Sequence, residues 1–497
     1  MRAAAQAHCR AIFNMANLKR LGKETLIYGT STVLARLLNF CLVPFYTYYL
    51  LPGEYGIIAT TFAVVALLNV LFLFGLDQSY LRFASEAENK SKVFQHCFYG
   101  VLFNGLVLSV LLWVFAKPFA QLIGIGAQHA QIIHLAVWVL FLDVLNMIPF
   151  TKLRLERRPW YFAGVRTVSI MVNVAGNIVF IAYLHQGIAS ILWANIFGSL
   201  ASLLLLSPVV FGELRSGLCK LDRTLYADML RFAWPFVPAG LASLLISVID
   251  KPILVHLAGL EQVGVYQANF KIGVFMMLLV SMFDQAWRPF FLAHAKEPDA
   301  KETFAKVLSA FFAVGSWFLL GLSLLMPPII QSNLFGHFHI ISPAYWGGLS
   351  VIPLVLTGYF CYGLYINFMA APVLTKKTRV LMWITLLGAA VSITTNLSLV
   401  PHIGIVGAGW AVALSYAAMA GALFLFTQKV YPIQYEYKKL AAMAAVCVAT
   451  AAVSYGFSRC SGWTPLGIKI ILLTLYPLWM WLIIRKNPPA TPVSVSP

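Results

Sequence analysis

Apolar runs of about twenty residues recur from one end of this chain to the other. They fall near 26–50, 56–76, 94–115, 130–150, 161–184, 187–211, 233–258, 264–287, 304–326, 343–366, 379–399, 404–426, 438–457 and 465–484. A run of that length crosses a bilayer as an α-helix, and with no water there to satisfy open backbone groups, helices or closed barrels are the only spanning solutions. Runs of this length are too long for barrel strands. The expected fold class is therefore all-α, a polytopic membrane protein with about 14 transmembrane helices. A hydrophobic fraction of 60% against 10% charged residues, with a mean hydropathy of +0.82, excludes an ordinary soluble domain.

The formal charge of +18 invites a nucleic-acid reading, but the cations come as small clusters between apolar runs. Alternate connections carry them: Arg82 to Lys92, Lys152 to Arg158, Arg215 to Arg231, Arg288 to Lys306, Lys376 to Arg379 and Lys429 to Lys439. With five N-terminal cations and Arg485/Lys486, 28 of the 35 Lys and Arg lie on one side, against Lys117 and Arg459 on the other. By the positive-inside rule both termini are cytoplasmic, and no nucleic-acid partner is expected.

The sequence also repeats itself. Gly56 through Asp77-Gln78 has a counterpart in Gly264 through Asp284-Gln285, and HQGIASILWA from His185 matches HIGIVGAGWA from His402. Arg157-Arg158 and Lys376-Lys377 precede the latter pair at nearly equal distances. Both copies start on the cytoplasmic side six spans apart, which makes them parallel repeats. The expected plan is a cytoplasmic segment 1–25, a six-helix bundle 26–211, a charged cytoplasmic linker 212–232, a second six-helix bundle 233–427, two additional helices in 428–485 and a cytoplasmic tail 486–497. Halves joined this way enclose a cavity at their interface, where substrate sites commonly lie.

Charges inside apolar spans are costly and so are functional candidates. Asp250 and Lys251 stand side by side in AWPFVPAGLASLLISVIDKPILVHLAG, either lining a path or satisfying each other. Lys251 is eight residues before Gly259 and Lys271 seven after Gly264, so both lie roughly 10–12 Å inward from the outer loop. Asp143 and Arg166 count to one level in the inner half, as a salt bridge or as part of a site. Arg36 sits in the middle of the first run without an acidic neighbour and reads as a phosphate or sugar contact, or as a headgroup contact. Lys469 begins the last run and reads as a cation that snorkels to the outer interface.

Other features carry less. Seven cysteines show no CxxC pair, and no metal site, cofactor or catalytic residue is expected. His185 and His402 match through the repeat; His337 and His339 have metal-like spacing but no third ligand. Gly404, Gly407 and Gly409 lack the strand that a dinucleotide loop needs. The first 25 residues lack an apolar core for a cleavable signal, and Met15 is an alternative start to Met1. The longest outer loop, about 327–342, carries no Lys, Arg, Asp or Glu, which disfavours a membrane glycan polymerase or ligase. A scaffold would have little reason to keep cations in mid-membrane.

LLPGEYGIIA at 50–59, the WPFVPAGLASLLISVIDKPIL stretch, EQVGVYQANFKIG at 261–273, FDQAWRPFF at 283–291 and GIVGAGWAVALSY at 404–416 resemble the signatures of polysaccharide-transport (Wzx-type) flippases. These belong to the multidrug/oligosaccharidyl-lipid/polysaccharide exporter superfamily, and the resemblance runs from about residue 20 to 485. It implies two six-helix bundles working by alternating access in the bacterial inner membrane. The implied cargo is an undecaprenyl-diphosphate-linked oligosaccharide moved from the cytoplasmic to the periplasmic leaflet for O-antigen, capsule or exopolysaccharide synthesis. Arg36, Arg166, Lys251 and Lys271 are then candidate cargo contacts, and Asp143 and Asp250 coupling or pairing groups. Implied partners are membrane lipids, H+ or Na+ as coupling ion, and a polysaccharide polymerase with its assembly proteins. A lipid II flippase and an ion-coupled multidrug exporter are the alternatives within the superfamily; the net cationic interior argues against cationic drugs.

Overall fold

The computed structural model describes residue 33 and residues 36–215, 222–332, 339–457 and 464–486. Among these there is no strand, and 13 helices are long and apolar enough to cross a membrane. A further helix, α1 (36–49), is the described part of the first apolar run. The N-terminal segment 1–25, the linker residues 216–221 and His337 lie outside the described residues. The fold is thus the all-α, polytopic one that the apolar runs require.

The described residues divide into two compact units, one ending at Gln267 and the other starting at Ala268. The first contains α1, α2 (Pro52–Leu73), α3 (Leu76–Glu86), α4 (Lys90–Val114), α5 (Ala116–Leu122), α6 (Ala130–Leu155), α7 (Pro159–Ile178) and α8 (Ala189–Leu214), followed by α9 (Arg223–Ala233), α10 (Phe236–Val248), α11 (Asp250–Ala258) and most of α12 (Leu260–Phe270). The second contains α13 (Val274–His294), α14 (Ala300–Gln331), α15 (Val351–Phe368), α16 (Ala370–Leu374), α17 (Arg379–Ile403), α18 (Ile405–Val430), α19 (Tyr437–Phe457) and α20 (Thr464–Lys486). The sequence leads to an expected division at a linker, 212–232, but close packing divides the chain after Gln267, because α10 and α11 pack on α2.

In each unit one span is central. The span through α6 is mostly buried and packs on α2, α4 and α8; the span through α15 and α16 is mostly buried too, with α13, α14 and α18 around α15. The two last spans dock on α14: Tyr476 donates to Ser316 Oγ at 2.8 Å, the Trp317 indole N–H donates to the Leu473 carbonyl at 3.0 Å, and Leu320, Met443 and Met480 fill the space between. The outer loop expected from residue 327 starts later, since α14 runs on through Pro327 and Pro328 to Gln331.

The repeat is written into the backbone. Pro52–Glu86 and Leu260–His294 are both 35-residue spans. Arg157 and Lys376 both take a left-handed conformation, with φ of 54° and 58°. In each case the next amide reaches back five residues, Arg158 to the Leu153 carbonyl and Lys377 to the Pro372 carbonyl, both at 2.9 Å, which closes the helix end. Gly187 and Gly404 match likewise, with φ of 60° and 58°, and their carbonyls accept from Ser190 and Gly407.

The 35-residue spans are broken, at different points. Phe74 and Gly75 turn left-handed between α2 and α3, where a side chain on Gly75 would meet the Ala233 carbonyl oxygen at 2.7 Å. In the other span Lys271–Gly273 forms a 3₁₀ turn between α12 and α13.

Candidate functional site

Asp250 and Lys251 lie where α10 gives way to α11. Pro252 has no N–H to donate to the Val248 carbonyl, so the helical ladder is interrupted there and Asp250 becomes the first residue of a new helix. Its carboxylate accepts from the Lys251 backbone N–H at 2.9 Å and from Lys251 Nζ at 3.0 Å, while the Tyr266 hydroxyl donates to the other oxygen at 2.6 Å. The Lys251 ammonium also lies 5.7 Å from the centre of the Tyr266 ring. Asp250 is 1% exposed and Lys251 5%, so this is a closed ion pair, satisfied from within its own compact unit. Tyr266 went unnoticed in the sequence. Counting outward from Gly259 finds it, since Asp250 is nine residues before that turn and Tyr266 seven after.

Asp143 on α6 is half-buried and accepts a hydrogen bond from Ser199 on α8 at 2.5 Å. Arg166 on α7 is exposed, with its guanidinium 4.8 Å from the centre of the Phe150 ring. The two charges attract through space, yet no ion pair within 4.0 Å joins them among the described residues. Arg166 therefore keeps its hydrogen-bonding fork available beside an acidic neighbour. Arg36 is half-buried in α1, and Lys271 is half-buried at the 3₁₀ turn that breaks its span. Lys469, in α20, is half-buried as well.

Several cations that serve the topology argument also have structural partners. Lys152 bonds Glu213 and lies 3.1 Å from Glu156. Lys92 bonds Asp222 at 2.7 Å; Asp222 in turn caps α9 by accepting from the Thr224 and Leu225 amides. His96, 3% exposed, completes this latch: its Nδ1 bonds the Lys92 carbonyl at 2.7 Å and its Nε2 accepts from the Asp222 amide at 3.0 Å. Hydrogen bonds from Lys92, Thr224 and Leu225 hold the Asp222 carboxyl well below the usual carboxylate range. No group of three metal-ligating side chains gathers among the described residues.

A family described as "Polysaccharide biosynthesis protein" matches residues 21–294, more than half of the chain. The chain belongs to that family. All four candidate cations, Arg36, Arg166, Lys251 and Lys271, fall within the matched region. Among solved structures, the fold is similar to "Lipid II flippase MurJ, inward closed conformation", with a TM-score of 0.74 at 14% identity, covering 93% of this chain and 99% of that one. An inward-facing multidrug resistance MATE family transporter of the MOP superfamily matches with a TM-score of 0.66 at 14% identity, over 80% and 94%. The Vibrio cholerae MATE transporter VcmN in the bent form matches at 0.55 and 13% identity, over 83% and 96%. At these identities the likeness is one of fold. No curated protein matches the chain significantly.

Proposed function

We propose that this chain is a flippase for an undecaprenyl-diphosphate-linked oligosaccharide, working by alternating access between the leaflets of the bacterial inner membrane. The observation that carries the reading is the retention of cations within the membrane spans of a chain of the polysaccharide biosynthesis family. A lipid-linked sugar presents an anionic diphosphate and a hydrophilic glycan, neither of which enters hydrocarbon unaided. Guanidinium forks suit the diphosphate bidentately. Arg36 and Arg166 take that role. The Asp250–Lys251 pair is a store of charge that opens only if the surrounding helices separate, and it is the position for coupling to H+ or Na+. The termini are cytoplasmic, and delivery of cargo to a polymerase follows on the far side.

The second reading is a lipid II flippase, favoured by the near-complete overlap with the MurJ fold. Transbilayer movement of labelled cargo in proteoliposomes separates the two. Intact protein should move an undecaprenyl-diphosphate oligosaccharide faster than lipid II, and Arg36→Ala and Arg166→Gln should slow that movement at matched reconstitution. Preference for lipid II would transfer the assignment to the second reading, and movement of neither cargo with or without an ion gradient would remove both.

A further inference from the structure

The second unit carries a tyrosine cluster for which the cationic path has no use. Tyr359, Tyr362 and Tyr365 stand three residues apart on α15 and so share one face, about 4.5 Å apart along the axis. Tyr416 of α18 joins them, with its ring centroid 6.0 Å from that of Tyr359 and 5.1 Å from that of Tyr362. Tyr362 and Tyr365 are stacked at 6.0 Å and 17°. Tyr359, Tyr365 and Tyr416 are buried, whereas Tyr362 is only half-buried. Arg288 of α13 lies within electrostatic range of Tyr362 and Tyr365, and its Nε donates to Asp284 Oδ1 at 2.7 Å. Its side chain is 54% exposed.

A half-buried ring packed against two buried rings, with an ion pair within electrostatic range, offers an apolar face near polar groups. That is the surface a pyranose requires: its C–H face stacks and its hydroxyls bond sideways.

The repeat sharpens the point. At the 219-residue offset that separates Arg157 from Lys376, Asp143 corresponds to Tyr362; at the 217-residue offset that separates Gly187 from Gly404, Ser199 corresponds to Tyr416. The bonded Asp143–Ser199 pair of the first unit is thus replaced by the Tyr362–Tyr416 pair in the second. One framework position carries charge in one copy and aromatic surface in the other.

We propose that Tyr362, packed against Tyr365 and Tyr416, is a carbohydrate subsite that stacks on a sugar ring of the glycan. The proposal rests on the flippase reading for the identity of the cargo but not for the existence of the site. Saturation-transfer NMR on the full-length protein in detergent tests it. The probe is the free oligosaccharide released by mild acid from the lipid-linked pool of the source strain.

Intact protein and Tyr362→Phe should transfer saturation to the sugar ring protons. Tyr362→Leu, which keeps apolar bulk but loses the ring face, should weaken binding about tenfold. Arg288→Gln, which leaves every ring in place, should weaken it several-fold. No transfer to intact protein, or equal transfer to Tyr362→Leu and Arg288→Gln, overturns the subsite. Failure of the flippase reading looks different: saturation persists while proteoliposomes move no lipid-linked glycan.

Discussion

Gly56 and Gly264 lie against each other where α2 crosses α12, so closely that a methyl added to either would overlap the other helix's backbone. A Cβ on Gly56 would collide with the Leu260 carbonyl oxygen, and one on Gly264 with the Pro52 carbonyl oxygen. The two collisions are reciprocal at the 208-residue offset that separates Pro52 from Leu260, as a local two-fold relation between repeats requires. Gly56→Ala and Gly264→Ala should therefore destabilise equally, each by about 1–3 kcal/mol or more, because backbone cannot rotate aside as a side chain would. Gly53→Ala, three residues away and with nothing within 4 Å, should leave the melting temperature in detergent unchanged. Unequal effects, or a tolerated Gly56→Ala, would contradict the crossing.

The Asp250–Lys251 pair makes a prediction about coupling. Removing one partner strands a charge in an apolar surrounding, so Lys251→Met alone should cost about 3–5 kcal/mol. Replacing both, in Asp250→Ala with Lys251→Met, should be milder than the lysine substitution alone, leaving chiefly the Tyr266 hydroxyl without its acceptor. Tyr266→Phe, which removes one hydrogen bond to a charged group, should cost about 1.5–3 kcal/mol. Thermal unfolding of the intact protein, the single variants Asp250→Ala and Lys251→Met and the double variant reads this cycle, with Tyr266→Phe measured alongside. Additive losses would mean that the carboxylate and ammonium do not depend on each other.

The all-α class and the approximate number of spans were legible because they rest on a single coarse term, the cost of placing open backbone in hydrocarbon. The partner of a buried charge was not. Ser199 lies 56 residues from Asp143 and Tyr266 lies 16 from Asp250, and helix periodicity relates positions only within a helix. The charge pattern makes Lys92 and Lys152 expected cytoplasmic cations, and it gave no sign that they clasp Asp222 and Glu213. The breaks in the 35-residue spans were hidden too, because apolar composition continues across Phe74-Gly75 and Ile272-Gly273 without interruption.

The latch on α9 should respond to acid. Asp222 has its carboxyl depressed in the folded state by Lys92, Thr224 and Leu225, so the fold favours the ionised form. The resulting stabilisation is complete above the unfolded carboxylate value of about 3.9 and is lost as pH falls through the lower folded value. Intact protein should then melt higher than Asp222→Asn at pH 7, and the gap should close progressively below roughly pH 4. A gap that stayed constant across that range would assign the stabilisation to geometry rather than charge.

Arg166 tests the anion path most cleanly, because it is exposed and its loss removes no bonded partner from the fold. Its guanidinium lies over the Phe150 ring, and Asp143 keeps its hydrogen bond from Ser199 whether or not the guanidinium is there. Arg166→Gln should leave the melting temperature within the range of ordinary surface substitutions while slowing transport of diphosphate-linked cargo. A charged hydrogen bond of about 1.5–3 kcal/mol corresponds to a loss of roughly ten- to a hundredfold in affinity. Arg166→Lys should fall between, since it keeps the charge but not the bidentate fork. Unslowed transport in Arg166→Gln would leave the guanidinium as a cation packed on an aromatic ring and return the diphosphate to Arg36.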